Sequence, residues 1–154
     1  MATRSTIALE FADGTVQQVY CHWDGYLENN GQILHEHYRD PFKVQRLIDN
    51  GAISSLKPEI GEKHDFDWYF KKETIPQDMK DIYENLWTCF YARDRGEDLV
   101  KHTYKDYEDY RANAQFEEYN YILRKDSNWY VEFYGCDGNF VTLEEAFEIQ
   151  KEIA

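Results

Sequence analysis

Ile7, Leu9 and Phe11 alternate with Ala8 and Glu10, the period-two pattern of a strand with one buried face. Asp13-Gly14 follows, a favoured pair for a tight turn. Val19, Cys21 and Trp23 then alternate with Tyr20 and His22, so the two runs predict a β-hairpin with Cys21 and Trp23 on the core side. Asp24-Gly25 ends the second strand. Leu27, Gly31, Leu34 and Tyr38 fall on one face of a helix, and Gly31 on that face predicts a close approach to the sheet. Asp40-Pro41 predicts an N-cap with proline at the first helical position. Val44, Leu47 and Ile48 then form the stripe, and Gly51 the stop.

The pattern weakens over residues 52–75. Pro58, Gly61 and mixed charges predict a surface connection, tacked down by Phe66, Trp68, Tyr69 and Phe70. Pro76 opens a short helix with Met79, Ile82, Tyr83 and Leu86 on its apolar face, and residues 87–92 read as a strand. Residues 93–114 read as a polar, tyrosine-rich loop with a short helix near residues 107–112. A second hairpin is predicted from residues 116–123 and 129–134, joined by Lys125-Asp126-Ser127-Asn128. After the Asp137-Gly138 turn, Phe140-Val141 adds a few residues of strand. Thr142 and Glu145 then make a capping box for a terminal helix that turns Leu143, Ala146, Phe147 and Ile153 to the core. The order β-β-α-α-(α)-β-β-β-α predicts an α+β fold. Its sheet would be antiparallel, of about five strands, with helices mainly on one face. Residues 1–154 read as a single globular domain.

Charge narrows the function classes. Lysine and arginine number 17 against 30 aspartates and glutamates, a net charge of -13. The excess runs through the whole body and is steepest over residues 117–154, with nine acids against three bases. Direct binding to nucleic acid or to an anionic membrane needs a basic footprint, so neither is expected. A basic partner is. Three distant cysteines, Cys21, Cys89 and Cys136, lack metal or redox spacing and read as reduced thiols. The first residues carry no apolar signal region, and no apolar run is long enough for a membrane span. A cytoplasmic location is the expectation.

The candidate chemistry is thin. Cys21, His22 and Asp24 hold the residue types of a catalytic triad. Neighbours on a strand point to opposite faces, however, so Cys21 and His22 do not meet. His35 and His37 stand roughly 200° apart around a helix and do not converge on a metal. Asp137-Gly138-Asn139-Phe140-Val141 fails the EF-hand pattern at its fifth and sixth positions. No phosphate-loop, dinucleotide or zinc-protease fingerprint is present, so no catalytic residue, cofactor or metal is assigned.

Two binding surfaces remain. Tyr104, Asp106, Tyr107, Glu108, Asp109, Tyr110, Glu117 and Glu118 interleave carboxylates with aromatic rings, a face suited to a basic protein and able to stand in for the phosphates of DNA. Alternatively, His22, Trp23, Asp24 and Tyr26, with Arg93 and Arg95, would line a pocket for an enzyme or a ligand-binding domain. So aromatic a sheet could also leave a face open to a second copy, making a homodimer.

The run Tyr20-Cys21-His22-Trp23-Asp24-Gly25-Tyr26, preceded by Arg4-Ser5-Thr6-Ile7-Ala8, resembles a family of small, uncharacterised proteins of tailed bacteriophages and prophages. Asn30-Gly31, His37-Tyr38, Tyr91-Ala92-Arg93-Asp94-Arg95-Gly96 and Glu118-Tyr119-Asn120-Tyr121 extend the likeness over nearly the whole chain. The family brings no known activity or site residues. What the resemblance implies is context: a phage accessory product in a bacterial cytoplasm. In that setting the expected function is inhibition of a basic host factor, such as a defence or nucleic-acid-handling enzyme.

Overall fold

Two hairpins lie at the centre of the fold, and they are joined side by side through a parallel pairing. The computed structural model describes residues 2–153. Strands β1 (Ser5–Glu10) and β2 (Val16–Cys21) form the first hairpin, with Ile7 opposite Val19. Strands β6 (Tyr119–Leu123) and β7 (Trp129–Glu132) form the second. β1 pairs with β6 in parallel, Ile7 beside Tyr121. Three short strands, β3 (Ile53–Ser55), β4 (Cys89–Phe90) and β8 (Val141–Thr142), extend the sheet to the order β4-β3-β2-β1-β6-β7-β8. A further strand, β5 (His102–Tyr104), pairs with the start of β2.

The α+β class holds, but the sheet is mixed and eight-stranded, not antiparallel and five-stranded. The strands that the pattern does not foresee, Ile53–Ser55 and His102–Tyr104, have three residues each, too few to show a period. The parallel pairs join segments far apart in sequence, which no local pattern reports.

Alternation sends the strands' odd-numbered residues to one face. Ile7, Leu9, Val19, Cys21, Tyr121 and Leu123 pack there against three helices. A π-helical turn (Leu27–Gly31) runs into α1 (Gln32–His37), and α2 (Pro41–Asp49) and the terminal α6 (Leu143–Ile153) complete the layer. The predicted caps are in place. The Asp40 side chain accepts from the Phe42 N–H at 3.0 Å, and the Thr142 hydroxyl accepts from the Glu145 N–H at 3.2 Å. Ile153 is a correction: at the last residue of α6 it is 50% exposed.

The opposite face carries a smaller core. Ala8, Val16 and Ile122 pack against Tyr110 of α5 (Tyr107–Asn113). The chain's own α5 thus packs on this face.

Residues 87–92 were expected to be one strand. Only Cys89 and Phe90 are extended, and the chain turns at once into α4 (Tyr91–Arg95). Residues 93–114 hold the end of α4, then β5 and α5, rather than a loop around one helix. Between β3 and β4 lie a 3₁₀ segment (Trp68–Thr74) and α3 (Gln77–Asn85), neither with a buried residue. Among the described residues, no helix is long and apolar enough to cross a membrane.

Candidate functional site: an aromatic cleft beside a buried ion pair

The corner after β2 is built by backbone constraints. Asp24 adopts a left-handed conformation, φ 55°. Gly25 follows, where a Cβ would lie 2.6 Å from Ser5 Cβ, so no other residue fits without displacing β1. The turn divides the chemically rich run. Cys21 is buried, and burial pushes its thiol up to about 11. His22 sits on the other face, its Nδ1 2.7 Å from the Tyr20 hydroxyl. Trp23 is not in the core. Its backbone N–H bonds the Ser54 carbonyl at 3.0 Å, its ring lies edge-on to His22 at 4.7 Å, and it is 43% exposed.

Trp23 forms one wall of a cleft of about 430 Å³. The other walls come from Phe66, Trp68, Tyr69 and Phe70 of the connection and from Tyr83 of α3. Ser54, Ser55, Lys57 and Cys89 line it from the β3–β4 side, and Asp67 and Glu84 add two carboxylates. The residues expected to join Trp23 do not. His22, Asp24, Tyr26, Arg93 and Arg95 lie outside this lining. Sequence reasoning saw the 66–70 aromatics as anchors for a loop. Their exposure, 57% for Tyr69 and 85% for Phe70, makes them a surface instead.

Behind the cleft lies a closed polar hub. Arg93 spends all five of its N–H groups: two on Asp94, and one each on the carbonyls of Ile60, Gly61 and Thr88. Asp94 is buried and also accepts from the His64 N–H at 3.1 Å and the Phe90 N–H at 2.8 Å. Arg93 therefore has no donor left for a phosphate or carboxylate ligand. Arg95 is exposed and pairs with Glu97 at 3.1 Å.

Ligand atoms of His64, Cys89 and Asp94 come within 4.8 Å of one another, and all three residues are buried. The set is a poor cation site. The Asp94 oxygens already serve four N–H donors, two of them from the charged Arg93 guanidinium. His64 Nδ1 lies 2.8 Å from the Glu62 carbonyl and so donates to it, while the ring stacks on Tyr83 at 4.8 Å. Burial, and next the Asp94 charge, push the Cys89 thiol up to about 12, which holds it protonated.

The tyrosine-carboxylate stretch is assembled differently from its expectation. Tyr110 is fully buried, and Tyr104 and Tyr107 pack against it. Asp106 caps α5 by accepting from the Asp109 N–H at 2.7 Å. Asp109 accepts from the Lys105 N–H and the Asn113 amide. Glu108 and Glu118 remain exposed and Glu117 is half-buried. Of these eight residues Tyr110 alone is buried, while Asp106 and Asp109 also hold the start of α5.

His35 and His37 do not converge. His35 faces Arg39 and Glu144, whereas His37 lies nearest Glu36. No protein-family model matches the chain, and the comparisons with curated proteins and solved structures found no match.

Proposed function

We propose that this is an acidic binding protein whose partner is a basic protein. The observation that carries the reading is the large surplus of uncompensated carboxylates on a folded body. Of 30 acids, only Glu10, Asp49, Glu59, Asp65, Asp94, Glu97 and Glu148 pair with lysine or arginine among the described residues. Helix α6 concentrates the surplus. Glu144, Glu148 and Glu152 recur at four-residue spacing on one face, with Glu145 beside them, and the helix's single base, Lys151, pairs with Glu148. Like charges at that spacing repel by a few tenths of a kcal/mol each. A basic partner relieves that repulsion and gains long-range steering.

In the phage setting implied by the resemblance, the partner is a host defence or nucleic-acid-handling protein, and binding inhibits it. Carboxylates fixed on a folded surface can compete for lysines and arginines that would otherwise neutralise phosphates.

The test is retention of basic bacterial proteins on the immobilised chain at about 50 mM and about 500 mM salt, conditions that screen exposed charges weakly and strongly. The wild type should retain them only at the lower salt. The variant with Glu144, Glu145, Glu148 and Glu152 all changed to glutamine should retain less. Salt-independent retention, or none at low salt, overturns the reading.

A further inference from the structure

The cleft beside Trp23 is walled by six aromatic rings, and the acidic surface alone gives it no role. We infer that it receives an arginine side chain of the basic partner. The inference rests on the proposed function and names the anchor point within it.

Three features choose this occupant. First, the walls offer π-faces: Trp23, Phe66, Trp68, Tyr69, Phe70 and Tyr83 surround about 430 Å³. A guanidinium is flat, weakly hydrated and attracted to such faces. Second, the charge matches. Asp67 and Glu84 against Lys57 leave the lining with a negative excess, in a chain of net -13. An anionic ligand such as a nucleotide meets repulsion from both. Third, the molecule already makes this arrangement internally. Arg124 lies 3.5 Å over the Tyr107 ring while its edge bonds Glu10 at 3.0 and 3.3 Å. Arg95 lies 5.0 Å over Phe66. An arginine in the cleft would repeat the Arg124 geometry, its face on a ring and its edge toward Asp67 or Glu84.

Two walls are fixed beforehand, which lowers the ordering cost of binding. Tyr83 is stacked on His64, and the Trp23 ring is braced edge-on by His22 while its backbone N–H bonds the Ser54 carbonyl. His22 is therefore a positioning residue for Trp23.

The experiment is calorimetric titration with three peptides: tri-arginine, tri-lysine and the uncharged isostere tri-citrulline. Tri-arginine should bind best, and tri-citrulline should lose most of the affinity. Trp23→Ala should weaken tri-arginine binding roughly three- to thirtyfold, the range of a cation–π contact. Asp67→Asn with Glu84→Gln should weaken it and flatten its salt dependence, with both variants melting as the wild type does. Equal binding of tri-citrulline, unchanged binding by Trp23→Ala, or tighter binding of ATP than of tri-arginine would each overturn the assignment. Retention of basic proteins that survives Trp23→Ala but not neutralisation of α6 sinks the cleft and spares the acidic surface. Tri-arginine binding with no retention of basic proteins does the reverse.

Discussion

Residues 65–73 and 104–110 are alike in composition: both combine aromatic rings with aspartates, glutamates and lysines. Their structures are opposites. In the second segment, β5 pairs with the start of β2 and delivers the following tyrosines onto a sheet face. Tyr110 ends fully buried, with the rings of Tyr104, Phe116 and Phe140 centred 5.4–5.9 Å away. The first segment has no strand to deliver it. It lies beside α3, which itself buries nothing, and its rings stay out. Interleaved aromatics and acids therefore do not say whether a segment is scaffold or surface. The nearest free sheet face decides, because only there does a ring lose its water on all sides.

That comparison can be broken by experiment. Tyr110→Ala should cost roughly 3–5 kcal/mol, the range for emptying a buried aromatic site, measured by denaturant unfolding. Tyr110→Phe should cost under about 0.5 kcal/mol, because the buried hydroxyl has no hydrogen-bond partner among the described residues. A large loss from the phenylalanine variant would show that the hydroxyl, not the ring, holds α5.

Next in size is Asp94→Ala, which leaves the half-buried Arg93 guanidinium and two backbone N–H groups without their acceptor. A loss of about 3 kcal/mol is expected, as for breaking a buried ion pair. Since Asp94 also holds the His64 backbone, the 66–74 segment should gain amide exchange before the central strands do. Uniform loosening of the whole chain would contradict that order.

Acid should act on the scaffold side of the comparison. Burial opposes ionisation of Glu10, but the Arg124 hydrogen bonds and the Lys125 N–H outweigh it and lower its pKa below the ordinary 4.5. A depressed folded value means that the stability it contributes is complete above 4.5 and is lost as pH falls through the folded pKa. Glu10→Gln should lower stability at neutral pH and flatten the loss on acidification. An unchanged acid limb in that variant would remove Glu10 from the account.

The smallest effect belongs to the exposed segment. Phe70→Ala should leave stability within about 0.5 kcal/mol, as for surface changes generally. Cys89, although it lines the cleft, should alkylate at pH 8 about a thousandfold more slowly than an ordinary thiol, because its pKa of about 12 leaves so little thiolate. Rapid labelling of the native protein would mean that the cleft opens further than its walls indicate.

Local pattern determined a good part of this protein. The first hairpin, α2 with its Asp40 cap and the capped start of α6 were all legible, because alternation, helical spacing and capping are written within a few residues. The same alternation correctly parted Cys21 from His22 and dissolved the triad. It failed at Trp23, one residue past the end of β2, where the left-handed Asp24 swings the chain away from the core. Composition gave the acidity. The parallel seam of β1 and β6, the spending of Arg93 on Asp94 and three carbonyls, and the meeting of Trp23 with residues 66–70 and Tyr83 came from tertiary structure alone. Each joins groups whose individual preferences are the same with or without the partner. Only the packing that brings them together gives them different energies.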